Sequence, residues 1–335
     1  MMRAAVVRAY GAIEDVQLGE VACPTPAAGE VLVSVHAAPV NYVDLLVIGG
    51  KYQFLPPLPF VPGKGPAGVV TACGPGVTGV QVGDRVLAMA EYGGYAEQVA
   101  VRADQCYRLP DAMPFVEAAS MSLAYDTAWF ALRERGRVQA GETVLVLGAS
   151  GAVGLAGVQL AKAMGARVLA GISRPEKAAL VIEAGADATI DLSAPDLRDS
   201  LREQVRAANA GAMADVVLDP LGGDAFDAAL RALAWCGRLV VIGFAAGRIP
   251  EVKANYLLLK NIEVSGLQIS DYRKLRPELV AACFRELFAF YVAGQIRPPA
   301  TDCLPLDRAA EALAAVRDRN TGGRRVILLP KAAGA

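Results

Sequence analysis

With 335 residues the chain exceeds the roughly 250 to 300 at which a single hydrophobic core stops growing, which predicts two domains. Hydrophobic residues make up 54% and charged residues 20%, a balance that favours a packed globular protein over a disordered one. The formal net charge is -1 with both signs interspersed, so no electrostatic footprint invites nucleic acid or an anionic membrane.

The N-terminal stretch MMRAAVVRAYGAIED turns acidic at Glu14 and Asp15 without an apolar region of signal-peptide length, and a cytoplasmic location is expected. Six cysteines (Cys23, Cys73, Cys106, Cys236, Cys283 and Cys303) form no CxxC pair, as suits reduced thiols in that compartment. With a single histidine, His36, they offer no closely spaced set of zinc ligands, and no metal site is expected. The first 120 residues contain the short segments AAVVRAY, GEVLVSVHAAPV, GPAGVVTACG and GDRVLAMA between Pro and Gly turns. That texture predicts an irregular, mainly β domain. His36 alternates with apolar residues in one of these strands and is expected to be structural. Tyr42, Tyr52, Phe54 and Tyr92 suit core packing as well as a binding surface.

Thr143 to Ala161, TVLVLGASGAVGLAGVQLA, runs for nineteen residues without a charge, close to the length of a membrane span. Its glycines break the run, TVLVL has the composition of a buried parallel strand, and VGLAGVQLAKAMGA reads as a helix ending at Gly165. Gly148, Gly151 and Gly154 give the spacing GxxGxxG, a variant of the dinucleotide fingerprint, in which phosphates rest over a helix N-terminus. Small residues also serve plain strand-helix packing, so the context matters. ARVLAGIS, RPEKAALVIEAGADATIDL, ADVVLDPLGG and GRLVVIGFAAG continue the alternation, and a doubly wound parallel sheet is predicted from about Gly141 to Gly266.

An NAD enzyme usually carries an acid about 20 residues past the glycines to bind the ribose hydroxyls. Here GISRPEK places Ser173, Arg174 and Lys177 there. A hydroxyl and two cations favour a 2'-phosphate, so NADP(H) is expected over NAD(H). The alternative is that Arg174 and Lys177 are solvated charges at a helix start. Asp219, in VLDPLGG, is suited to capping a turn. Beyond Gly266, helices are expected near Pro277 to Ala293 and Leu306 to Arg319, followed by a closing strand RRVILLP. The alternating IEVSGLQIS predicts a strand at a sheet edge and, through it, a homodimer. The layout that results is a β-rich domain from residues 1–122 and 267–335, with a nucleotide domain, 123–266, inserted between.

Three stretches together resemble the medium-chain dehydrogenase/reductase superfamily: VNYVDLLVIGGKY, LPFVPGKGPAGVV and GETVLVLGASGAVGLAGVQLAK. The spacing of Gly141, Glu142, Leu145, Ala149, Ser150, Gly151, Gly154, Gln159 and Lys162 matches its reductase signature. Within that superfamily the chain is similar to the zinc-independent quinone oxidoreductases, to which the zeta-crystallins belong. It departs at Ala152, where the signature has a glycine, and at Lys64, where many relatives carry a glutamate. Asn41 and Asp44 occupy the neighbourhood of the zinc-ligand cysteine of the superfamily's alcohol dehydrogenases.

The resemblance implies a Rossmann-type domain beside a GroES-like catalytic domain, and NADPH-dependent reduction of a quinone in the interdomain cleft. Asn41 and Tyr52 are implied to face the nicotinamide and substrate. Thr127 is implied to contact the cofactor, with Ser150, Gly151, Ala152, Val153 and Gly154 cradling its pyrophosphate. Ser173, Arg174 and Lys177 would hold the adenosine phosphate, and Gly243, Phe244 and Leu267 would follow the nicotinamide half. Arg319 or Arg325 would reach a phosphate, and Leu192 stands where relatives have a tyrosine on the adenosine. Two other readings remain open: reduction of α,β-unsaturated ketones or enoyl thioesters with Tyr52 as proton donor, and an NADPH-binding sensor or structural protein.

Overall fold

A computed structural model describes residues 1–330, which fall into two compact units. One comprises Met1–Leu123, Arg273–Phe284 and the stretch from Pro298 on; the other comprises Ala124–Tyr272 and Arg285–Arg297.

The first unit opens with β1 (Met2–Val6) and β2 (Gln17–Val21), paired antiparallel. Its backbone is β3 (Glu30–Pro39), where Val31, Val33 and Val35 alternate on the core side, as β-branched residues do on a half-buried pleated surface. Helix α1 (Tyr42–Ile48) follows at once, started by Asn41 in extended conformation. Strands β4 (Ala67–Cys73), β5 (Arg85–Ala88), β6 (Gln98–Arg102) and β7 (Cys106–Arg108) complete the antiparallel part. His36 stacks on Phe115 with ring centroids 4.5 Å apart, a packing role. Helix α2 (Phe115–Phe130) comes next, its residues from Ala124 on belonging to the second unit.

In the second unit the chain alternates strictly: β8 (Thr143–Val146), α3 (Ala152–Ala163), β9 (Arg167–Ile172), α4 (Ala178–Glu183), β10 (Ala188–Asp191), α5 (Leu197–Ala208), β11 (Ala214–Asp219), α6 (Gly223–Ala232), β12 (Leu233–Val241), α7 (Ala254–Lys260) and β13 (Glu263–Gly266). All six strands are parallel, in the order β10-β9-β8-β11-β12-β13. The order reverses between β8 and β11, the position where doubly wound sheets bind their ligands. Val144, Leu145, Val168, Leu169, Val216 and Val217 are buried, which accounts for the near-continuous apolar runs of these strands.

After β13 come α8 (Ile269–Leu275), α9 (Pro277–Val292), β14 (Thr301–Pro305), α10 (Ala309–Arg317) and β15 (Arg325–Leu329). β15 pairs with β3, so the closing strand returns to the first sheet. Two expectations change. The strand expected over IEVSGLQIS stops at Gly266, because the Gln268 side chain accepts the Ser270 N–H at 3.1 Å and Ile269 onward is helical. The segments Leu267–Tyr272 and Arg285–Arg297, expected with the β-rich domain, group with the nucleotide unit instead. Hydrogen bonds within that unit include the Leu267 N–H on the Val241 carbonyl at 3.0 Å, the Arg297 N–H on Gln159 Oε1 at 2.8 Å, and Trp129 Nε1 on Glu286 Oε2 at 2.7 Å.

Trp129 is buried, and Glu286 is both its acceptor and the ion partner of Arg133. Glu286→Ala strands a buried indole donor and is expected to lower stability by about 1–3 kcal/mol in urea unfolding. Glu286→Gln keeps an acceptor and is expected to lose less.

Candidate cofactor and active site

The turn after β8 is pinned on both sides. The Leu147 N–H donates to the Leu218 carbonyl at 3.0 Å and the Ala149 N–H to that of Gly171 at 2.9 Å. Between them Gly148 has φ +61°, a left-handed conformation, and a Cβ there would stand 2.9 Å from Leu221 Cδ2. A Cβ on Gly154 would stand 2.2 Å from the Gly148 oxygen and 2.7 Å from the Ala149 Cα, so helix and turn meet backbone to backbone. Gly151 is the N-cap, and the first helical bond runs from the Leu155 N–H to the Gly151 carbonyl at 2.8 Å. The N–H groups of Ala152, Val153 and Gly154 therefore have no acceptor inside the helix and lie at its positive end. Ala152 occupies the first helical position, where an alanine fits as well as the signature's glycine. This backbone cradle suits a pyrophosphate.

The other expected cofactor residues follow carboxyl ends of the same sheet. Ser173 and Arg174 stand exposed directly after β9, and Lys177 closes a short 3₁₀ turn, Pro175–Lys177. Among the described residues neither Arg174 nor Lys177 forms an ion pair, and the nearest acid past the strand end is the exposed Glu176 within the 3₁₀ turn. Leu192 covers Gly171, whose Cβ would lie 3.2 Å from the leucine Cδ1. Gly243 and the exposed Phe244 follow β12, and Leu267 follows β13. Asp219 ends β11. Its Oδ1 accepts the N–H groups of Leu221 at 2.8 Å and Gly222 at 2.9 Å, the turn-capping role read from its sequence. Its Oδ2 is buried without a partner, and burial raises the carboxyl above its usual range. Thr127, on α2, is buried with its Oγ1 3.3 Å from Asp126 Oδ1.

Asn41, Tyr52 and Arg325 lie in the other unit. Asn41 is buried; its Oδ1 accepts from Arg325 Nη2 at 2.9 Å. Arg325, assigned from sequence to a phosphate, is buried on β15 with this asparagine and is not among the residues that follow the nucleotide sheet. Arg319 stands after α10 with φ +53°. Beneath Asn41 lies Asp44, whose Oδ2 accepts the Asn41 N–H and the Tyr95 hydroxyl, both at 2.9 Å. Burial pushes the Asp44 carboxyl up to about 6, against these hydrogen bonds and the Lys64 charge. Burial, and then the neighbouring Asp44, pushes the Tyr95 phenol well up.

A second charged cluster surrounds Tyr52. Lys64 is buried, its ammonium 5.3 Å from the Tyr52 ring centroid and ion-paired with Glu91. Glu91 also takes Arg273 Nη1 at 3.0 Å. Burial raises the Glu91 carboxyl, but the Arg273 and Lys64 charges prevail and hold it at about 2. Tyr52 meets Phe54 edge to face at 6.1 Å, and Lys274 lies over the Phe54 ring at 4.5 Å. Asp44 had a local signal, a lone acid within the apolar YVDLLVI. Tyr95, Glu91 and Arg273 had none, since their partners lie 51, 27 and 182 positions away.

A six-stranded parallel sheet with reversed order at its centre, and a glycine turn closing on a helix N-terminus, define a dinucleotide-binding protein. The sequence matches the family Zinc-binding dehydrogenase over residues 152–285 and Alcohol dehydrogenase GroES-like domain over 27–111. It is 37% identical over 301 residues to the quinone oxidoreductase-like protein 2 homolog of Nematostella vectensis, spanning 89% of this chain and 81% of that protein. A solved mycobacterial quinone oxidoreductase superposes with TM-score 0.90 at 33% identity, covering 98% of this chain and 100% of the other. The Escherichia coli quinone oxidoreductase solved with NADPH gives 0.88 at 28%, covering 98% and 99%. The chain belongs to the medium-chain dehydrogenase/reductase superfamily, and within it to the zinc-independent quinone oxidoreductase-like family. It is an NADP-dependent oxidoreductase. Among the described residues no group of three or more His, Cys, Asp or Glu side chains is placed to hold a metal ion, and no helix is long and apolar enough to cross a membrane.

Gly154→Ala is expected to weaken NADPH binding about tenfold or more, about 1.4 kcal/mol, in a fluorescence titration. The added methyl would force α3 away from the turn. Asp44 gives a pH signature. Because its folded value, about 6, lies above the ordinary 3.8, its contribution to stability is full below pH 3.8 and is lost as pH rises through 6. The difference, about 2.2, corresponds to about 3 kcal/mol at 1.36 kcal/mol per pH unit. Urea unfolding of Asp44→Asn is expected to show a flatter dependence between pH 4 and 7 than wild type.

Proposed function

We propose that the protein is an NADPH:quinone reductase that needs no metal ion. Overall, NADPH, a quinone and a proton give NADP+ and a hydroquinone. When bound, NADPH supplies the hydride. The observation that carries this reading is the joint presence of a backbone cradle at Ala152–Gly154 and unpaired cations, Arg174 and Lys177, where an NAD enzyme would carry an acid. Ser173, Arg174 and Lys177 hold the 2'-phosphate. Thr127, Gly243, Phe244 and Leu267 follow the nicotinamide half.

Asn41 and Tyr52 are the groups proposed to face the acceptor. With the Asn41 oxygen taken by Arg325 and one amide hydrogen directed at the Pro39 carbonyl at 3.5 Å, the amide offers a ligand its second N–H rather than its carbonyl. A hydrogen bond of that kind steadies the oxygen on which negative charge grows. The reduced quinone takes its proton from water, so no side chain has to deliver one to carbon. Tyr52 supplies an aromatic face, held by the Lys64 ammonium. A cytoplasmic location and a homodimer joined along β13, the edge strand of the nucleotide sheet, belong to the same proposal.

Initial rates of NADPH and NADH oxidation with 1,4-benzoquinone, 9,10-phenanthrenequinone, an α,β-unsaturated ketone and crotonyl-CoA test the reading. Quinone turnover that prefers NADPH and survives a chelator is expected. Turnover of only the enone or thioester would replace it with enoyl reduction and make Tyr52 the proton donor. No turnover despite NADPH binding would favour a sensor or structural role. Arg174→Ala is expected to reduce the preference for NADPH over NADH affinity by about tenfold, the scale of one charge-assisted contact. An unchanged ratio would place the 2'-phosphate elsewhere.

A further inference from the structure

Away from the glycine turn, the nucleotide unit holds a cavity of about 260 Å³ lined by Arg202, Arg231, Tyr256 and Lys260. Three of its four lining side chains are cations. They come from three different helices: Arg202 from α5, Arg231 from the last turn of α6, and Lys260, with Tyr256, from α7. α6 begins at Gly223, beside Leu221 and hence near Gly148. Arg231 lies eight residues further on, about 12 Å along the helix axis at 1.5 Å per residue. The cavity is thus at the opposite end of α6 from the cradle.

Two of the cations are held by the protein itself. Lys260 Nζ donates to the carbonyls of Leu230 at 3.3 Å, Arg231 at 3.0 Å and Leu233 at 3.2 Å, capping the negative end of α6. Arg231 pairs with Asp199 at 2.9 Å, a carboxylate that is largely exposed. Arg202 is half-buried and, among the described residues, its side chain forms no hydrogen bond or ion pair. Such convergence works against folding: burial, and then the charges of Arg202 and Arg231, make Lys260 easier to deprotonate. One exposed carboxylate answers three cations. A planar guanidinium with its donors unspent, flanked by two further positive charges and a phenol hydroxyl, matches an oxyanion of high charge.

We propose that this cavity is a second anion site, which binds a phosphate group through Arg202 and Arg231. Its volume exceeds what one phosphate fills, so pyrophosphate or a small phosphate ester is the class of ligand that fits, with the Tyr256 ring against the body of an ester. The site is independent of the cofactor reading, because it shares no residue with the cradle or with Ser173, Arg174 and Lys177.

Calorimetric titration of the full chain, its cofactor site first saturated with NADPH, with inorganic pyrophosphate, and separately with ribose 5-phosphate, tests the proposal against two variants. Arg202→Gln removes the unspent guanidinium without breaking any bond within the protein, and a thermal melt checks that it stays folded. Arg174→Gln alters the proposed cofactor site. Binding of at least one probe is expected, weakened about tenfold or more by Arg202→Gln and unchanged by Arg174→Gln. Tighter binding of ribose 5-phosphate would assign the site to an organic ester, and tighter binding of pyrophosphate to an inorganic anion. Absence of binding by both probes, equal affinity in Arg202→Gln and wild type, or loss confined to Arg174→Gln would overturn the proposal.

Discussion

Helix α3 can begin where it does only because residue 154 has no side chain. Its Cα faces the Gly148 carbonyl so closely that a methyl group would overlap the oxygen. That approach brings the helix N-terminus onto the turn after β8, at the centre of a parallel sheet whose strands end on the same edge. Three N–H groups are left without helical acceptors there, and they present the positive end of the helix to a phosphate. The turn, the helix and the sheet order therefore depend on one another. Shifting α3 would misplace the donors, and changing the strand order would remove the space above them.

The other unit works by charge rather than by backbone. Asp44, Tyr95, Asn41 and Arg325 form one buried hydrogen-bonded set, and Lys64, Glu91 and Arg273 form a second beside Tyr52. Burying ionic groups is costly unless their partners are well placed, and removing one partner costs more than the pair contributes. Such sets hold side chains in single orientations. Here they fix the Asn41 amide and the Tyr52 ring, the two groups proposed to meet the acceptor. Lys64, a departure from the glutamate of many relatives, is accommodated because Glu91 neutralises it.

Much of the nucleotide unit was legible in the residues, because its signals are local. Apolar runs of four to six residues, glycines at strand ends and amphipathic stretches between them report the alternation directly. The helix at Pro277–Val292 and the returning strand Arg325–Leu329 were read for the same reason. IEVSGLQIS misled because alternation persists past Gly266, while the Gln268 side chain starts a helix two residues later. α1 was not anticipated: VNYVDLLVIGG is short and apolar, and its start depends on Asp44 folding back onto the Asn41 N–H. Ion pairs spanning 182 positions, such as Glu91 with Arg273, leave no trace in spacing. Arg325 was read, with Arg319 as the alternative, as a residue reaching a phosphate; its contact with Asn41 was not legible, since only the pairing of β15 with β3 brings the two together.

Phosphates of the cofactor are proposed to rest on the amides of Ala152, Val153 and Gly154. Amide hydrogen exchange followed by mass spectrometry, with and without saturating NADPH, tests it most directly. Slowed exchange is expected in peptides covering residues 148–155, with a smaller change over 173–177 where side chains rather than amides make the contacts. Unchanged exchange over 148–155 at saturation, with protection appearing elsewhere, would contradict it.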